Sequence, residues 1–216
     1  WQNQKLWTRY LKNMKKYRLI IIYGILILFF NHSVLIANEK NYKIIKLVND
    51  QVITNYDLEQ RIKLYATLNN FSLKDGNIEK LANDLLLLMI DEKLQLELMD
   101  EYKIFISDTK IDDYIKRAYL GAENDMNDLI KLLNKNNINI KILKSLVQVK
   151  LGWNELAGRL YYRTSEINED DLISAMQNDS SLSEEQAKNI LLQKQIELRA
   201  KKLLRDIKSE ANIETR

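Results

Sequence analysis

The sequence predicts a mostly α-helical fold, a multi-helix domain with a small N-terminal β-hairpin that a short C-terminal strand can join. Three observations predict it. Proline is absent and glycine occurs only five times in 216 residues, so helix breakers are nearly missing from a chain rich in Lys, Glu, Leu, Ile and Gln. Hydrophobic residues at 46% and charged residues at 29% supply one ordinary core with a solvated surface. From residue 54 to residue 210, apolar side chains recur at helical spacing between residues that cap helices.

Taken in order, the chain opens on a leader. Met14 is the first residue able to start translation, so residues 1–13 read as upstream sequence, and residues 14–37 read as a signal peptide. Lys15, Lys16 and Arg18 form its basic end, and residues 19–30 (LIIIYGILILFF) its apolar run. Cleavage after Ala37 puts a small residue at the last leader position, although Leu35 is larger than the usual choice two places earlier. If the leader is retained, residues 19–36 form a marginal membrane anchor instead. Residues 38–216 are the expected domain.

In that domain, residues 43–54 (KIIKLVNDQVIT) place β-branched runs on both sides of Asn49-Asp50, a pair that tolerates tight-turn geometry, and predict the hairpin. Thr54 and Asp57 have capping-box spacing, and Leu58, Ile62, Tyr65 and Leu68 continue as a helix to Asn69-Asn70. Residues 78–102 form the most apolar helix, with Leu81, Leu85, Leu88, Glu92 and Gln95 along one side and Leu86, Ile90, Leu94 and Leu98 along another. So wide an apolar arc predicts a central position. Ser107 caps a helix bearing Ile111, Tyr114, Ile115 and Ala118 that stops near Gly121, and Asp125 caps a short one with Leu129, Ile130 and Leu133. Asn139 starts a longer helix through Leu143, Leu146, Val147 and Trp153 to residues 161–163. Asn168 caps residues 169–177, and residues 178–183 (NDSSLS) form a loop. Ser183 and Gln186 form a second capping box before a helix that runs to about Glu210, and residues 211–215 predict a strand whose natural partner is the hairpin.

These phrases, in this order, resemble the SurA-type periplasmic chaperones over residues 43–172 and again over 182–216. The likeness rests on LVNDQVITNYDLEQRI, LLLLMIDEKLQLELMDEYKI, ISDTKIDDYI, SLVQVKLGWNEL with TSEINEDDL, and the closing LSEEQAKNILLQKQIELRAKKLL. In such proteins parvulin-type prolyl isomerase domains lie between the two matched parts. Here only ten or so residues separate them, whereas a parvulin domain needs on the order of 90. After His32 the chain has no histidine. The resemblance therefore implies the chaperone core without the isomerase, and no enzymatic activity.

The residues exclude several chemistries on their own. The glycines, at 24, 76, 121, 152 and 158, are too scattered for a phosphate loop. Cysteine is absent, which leaves neither a disulfide nor a thiol nucleophile. A zinc site would need carboxylates alone, so no metal and no cofactor is expected. The six basic residues before position 38 leave 27 basic against 30 acidic residues in the domain, a net charge of −3 that gives no reason to expect nucleic acid. Glu169, Asp170 and Asp171 sit where a helix N-terminus favours negative charge, which explains them without acid–base catalysis.

Seven side chains, Tyr65, Met89, Met99, Tyr114, Tyr119, Met126 and Trp153, either fill the core or line a groove for clients, since Met and Tyr suit surfaces that repack around different partners. The resemblance implies an exported, ATP-independent chaperone in the periplasm. Its clients would be unfolded outer-membrane or envelope polypeptides held in an apolar groove and passed to the outer-membrane assembly machinery. The alternative is a helical envelope scaffold or adaptor that binds one folded partner, membrane-anchored if the leader stays.

Overall fold

The computed structural model describes residues 42–72, 78–120 and 125–216. The leader, its cleavage site and Gly121 lie outside the described residues. Residues 42–216 form one unit.

The hairpin is β1 (Ile44–Val48) and β2 (Gln51–Thr54), and the chain continues directly into α1 (Asn55–Leu68). Next come α2 (Ile78–Glu101), α3 (Asp108–Tyr119), α4 (Met126–Lys135) and α5 (Ile140–Tyr161), the last extended by a 3-10 turn (Tyr162–Thr164). The chain closes with α6 (Glu169–Asn178), α7 (Glu184–Glu210) and β3 (Ile213–Thr215). The mostly helical fold with its small mixed-origin sheet is the predicted one. The sheet is antiparallel in the order β2-β1-β3, with Val48 opposite both Gln51 and Ile213.

Local chemistry explains why the helices begin where they do. Thr54 and Asp57 form a reciprocal capping box, with Asp57 N–H donating to Thr54 Oγ1 at 3.1 Å and Thr54 N–H to Asp57 Oδ2 at 2.9 Å. Ser183 and Gln186 repeat it at α7, with bonds of 2.9 and 3.2 Å. Ser107, Asn139 and Asn168 each accept a backbone N–H in the first turn of their helices. Asp125 occupies the expected N-cap position of α4 but makes no side-chain cap bond, because its carboxylate accepts from the Asn127 side chain at 2.8 Å instead.

The helix ends solve a problem set by scarce glycine. Asn70, Lys103 and Asn137 take positive φ of 50°, 54° and 56°, the left-handed geometry glycine usually supplies after a helix. In each case the next residue donates back five positions into the last turn, Phe71 to Ala66, Ile104 to Met99 and Ile138 to Leu133, all at 2.9 Å. Asn49 takes the fourth positive φ, 50°, and turns the hairpin. Its side chain also donates to Glu97 Oε2 at 2.8 Å and accepts from the Asn212 N–H at 2.9 Å.

As its wide apolar arc predicts, α2 is central, touching α1, α5, α7 and both hairpin strands. It buries Leu85, Met89, Ile90, Leu94 and Met99. Leu88, expected on an apolar side, is instead exposed together with Leu87, since the buried arc turns toward Met89 and Ile90. A larger departure occurs in α1. The apolar period predicts a Leu58, Ile62, Tyr65, Leu68 face, yet the residues most removed from solvent are Gln60, Arg61, Leu64 and Ala66. Two contacts hold that side of α1 inward: both terminal nitrogens of Arg61 reach Glu92 of α2, at 2.5 and 2.6 Å, and Leu64 packs with apolar residues of α3, α4 and α5.

The core is strung along α2 and α5. Val48, Ile53, Met89, Ile90 and Leu94 form one cluster under the sheet, with Leu204, Ile207 and Ile213 packed against it from the chain's other end. Leu64, Ile111, Ile115, Leu129, Leu133, Ile138, Leu143 and Val147 join α1, α3, α4 and α5 in another. Between them, Met99, Ile104 and Leu156 meet where α5 passes α2 at Gly152. A Cβ on Gly152 would stand 2.1 Å from Met99 Cε, so the absence of a side chain there makes room for that methionine.

Candidate functional site

The candidate site is a groove of about 550 Å³ where α2, α5 and α7 converge. That size lies within the range of clefts that hold ligands. Two attachments of α7 create it. Near its C-terminus, Lys208 pairs with Asp91 of α2 at 2.6 Å, and Leu204 and Ile207 pack against the cluster beneath the sheet. Further back, Ile196 and Ala200 pack on Ala157 of α5, flanked by Trp153, Tyr161 and Leu192. The α5–α6 connection is fastened to another side of α7: Gln195 donates to the Glu166 carbonyl at 2.7 Å, Arg199 donates to Thr164 Oγ1 at 2.7 Å, and its guanidinium lies 5.7 Å from the Tyr161 ring centre.

One stripe of α7, with Gln193, Ile196, Glu197, Ala200, Lys201 and Leu204 at helical spacing, forms a long wall. Trp153, Asn154 and Ala157 contribute from α5, and Gln95 from α2. Ala157, Ile196 and Ala200 are only 4–5% exposed, so the floor is made of residues already packed together. Trp153 and Leu204 are half-buried. The rim is polar. Glu197 and Lys201 pair at 2.6 Å one turn apart, and hydrogen bonding to Lys201, then its positive charge, holds the Glu197 carboxyl below the usual carboxylate range.

Of the seven side chains singled out from the sequence, Trp153 lines this groove. Met89 and Met99, at 6% and 2% exposure, are closed off in two different core clusters. Tyr114, Tyr119 and Met126 pack partly buried against the α1–α3–α4–α5 cluster. There the Lys150 ammonium sits 5.2 Å from the Tyr114 ring centre. Burial pushes the Tyr119 phenol above its ordinary value, partly offset by the Lys150 charge. Tyr65 is exposed and meets Phe71 edge-on, with ring centres 6.1 Å apart. The seven therefore do not share one surface.

Sequence reasoning missed the α7 stripe and Asn154 as site residues, and noted Gln95 only as marking one side of α2. A signal exists for the stripe, because amide, small and apolar residues alternate with charges along one seam. Nothing local says that two other helices leave that seam partly uncovered.

Among the described residues, no group of three or more His, Cys, Asp or Glu side chains could hold a metal ion. None of the described helices is long and apolar enough to cross a membrane.

The fold is a helical domain with a three-helix groove. No protein-family model matches the chain, and no curated protein sequence matches it either. Among solved structures, it is similar to one of two structurally related SurA-like chaperones of Campylobacter jejuni, a virulence factor and a periplasmic protein. The TM-score is 0.36 at 19% identity, over 64% of this chain and 50% of that one. This chain thus aligns with half the length of that structure.

Proposed function

We propose that this protein is an ATP-independent holding chaperone that binds unfolded envelope polypeptides in the groove between α2, α5 and α7. The observation that carries the reading is the groove itself: an open channel with a packed floor, a half-buried Trp153, and a rim without a fixed acidic or basic cluster. Such a lining suits a varied polypeptide better than a single small substrate. The order of SurA-like phrases along residues 43–172 and 182–216 supports the same reading. With export by residues 14–37, the site of action is the periplasm, and the clients are outer-membrane or other envelope polypeptides on their way to the membrane assembly machinery. No nucleotide is needed, since micromolar binding follows from modest burial minus the cost of ordering a flexible client, and release is spontaneous.

The test is aggregation of a urea-diluted outer-membrane barrel protein, followed by light scattering with and without the purified chain in the absence of ATP. Equimolar chain should suppress scattering, and should do so for several unrelated unfolded clients. A folded, helical sample that suppresses none of them rejects the reading.

A further inference from the structure

We propose that the groove recognises the main chain of an extended polypeptide segment through side-chain amides, with Trp153 and Leu204 adding apolar contact. This inference rests on the holding function proposed above and names what is held.

Gln95, Asn154 and Gln193 come from three different helices and face one groove. Their side-chain amides make no hydrogen bond among the described residues, and Asn154 and Gln193 are exposed. Each amide offers an acceptor oxygen and a donor nitrogen, the complement of the N–H and C=O groups that alternate along an extended chain. The packed floor of Ala157, Ile196 and Ala200 is only 4–5% exposed, so the apolar surface open to a client comes mainly from the half-buried Trp153 and Leu204. Selection by charge is poorly served, because Glu197 and Lys201 neutralise each other. Three neutral amides beside a rim whose charges are paired complement a neutral, polar backbone. Its length fits: Gln193 to Leu204 spans eleven helical rises, about 16 Å, which matches about five residues of extended chain. The main chain is common to every client, so recognition of this kind is independent of sequence, and it lapses when the client folds and pairs its own backbone groups.

The probe is a fluorescein-labelled Ala-Thr repeat peptide of twelve residues, with a second version N-methylated at alternate backbone amides, and binding is read by fluorescence anisotropy. The unmodified peptide should bind the wild-type chain, and the N-methylated one about tenfold or more weaker. The triple substitution Gln95→Leu, Asn154→Leu and Gln193→Leu, each at a helical position that leucine suits, should weaken the unmodified peptide by about the same factor and bring the two peptides together. Unchanged or tighter binding by the triple variant, with helical content retained, overturns the main-chain reading, as does failure of the peptide to bind the wild type.

A separate arm tests the groove. The chain has no cysteine, so Lys201→Cys gives one site for a bulky maleimide. If the label blocks both peptide binding and aggregation suppression while the leucine variants do not, the groove is right and the main-chain proposal is wrong. If the label changes neither, both proposals fall.

Discussion

At the scale of single residues, the contact with most at stake is Arg61 with Glu92. The Arg61 side chain is 11% exposed and that of Glu92 21%, and both terminal nitrogens of Arg61 are used. Removing one partner leaves a nearly buried charge unpaired, whereas removing both removes the problem. Glu92→Ala should therefore lower unfolding free energy by about 3 kcal/mol in urea denaturation. Arg61→Met combined with Glu92→Leu should cost clearly less than Glu92→Ala alone. A cost below about 1 kcal/mol for the single change would mean that the pair behaves as an exposed one. No periodicity argument finds this pair, because α1 carries plausible apolar residues elsewhere on its circumference. The decisive fact is a long-range partner 31 residues away.

At the scale of elements, helix starts were legible to the residue and helix ends to within about two residues. Capping is written in residues three apart, so Thr54 with Asp57 and Ser183 with Gln186 could be read directly. The ends use left-handed Asn and Lys in place of glycine, a substitution with a weaker signal. Lys103 is the strained member, since asparagine tolerates positive φ and lysine does not. Lys103→Gly should stabilise the protein by about 0.5–1 kcal/mol, less than the full left-handed penalty because glycine also loosens the unfolded chain. Asn70→Gly and Asn137→Gly should change stability less, and thermal midpoints of the three variants would rank them. Equal effects at all three positions would show that φ strain at Lys103 is already relieved.

At the scale of the whole domain, β3 closes the structure. It pairs with β1, its Ile213 joins the cluster around the fully buried Val48, and the Asn49 N–H donates to the Asn212 carbonyl at 2.8 Å. Deleting residues 212–216 removes three ladder pairs and one apolar cover, and should lower stability by about 2–4 kcal/mol with helical content retained before the transition. An unchanged urea midpoint would show that α7 alone holds the C-terminal end, through Lys208 with Asp91 and Leu204 with Ile207.

The sequence by itself determined the helical class, the order of the elements, most of their boundaries, and the closing of the sheet by a C-terminal strand. These follow from local propensity, capping and periodicity, which act over a few residues. Only the tertiary structure decided which faces are buried and where a groove opens. Met89 and Met99 went to the core and Trp153 to a cleft, although all three lie on apolar stretches of similar appearance. That outcome depends on how α7 divides its contacts between α2 and α5, and a packing of three helices from distant parts of the chain leaves no mark in any one of them.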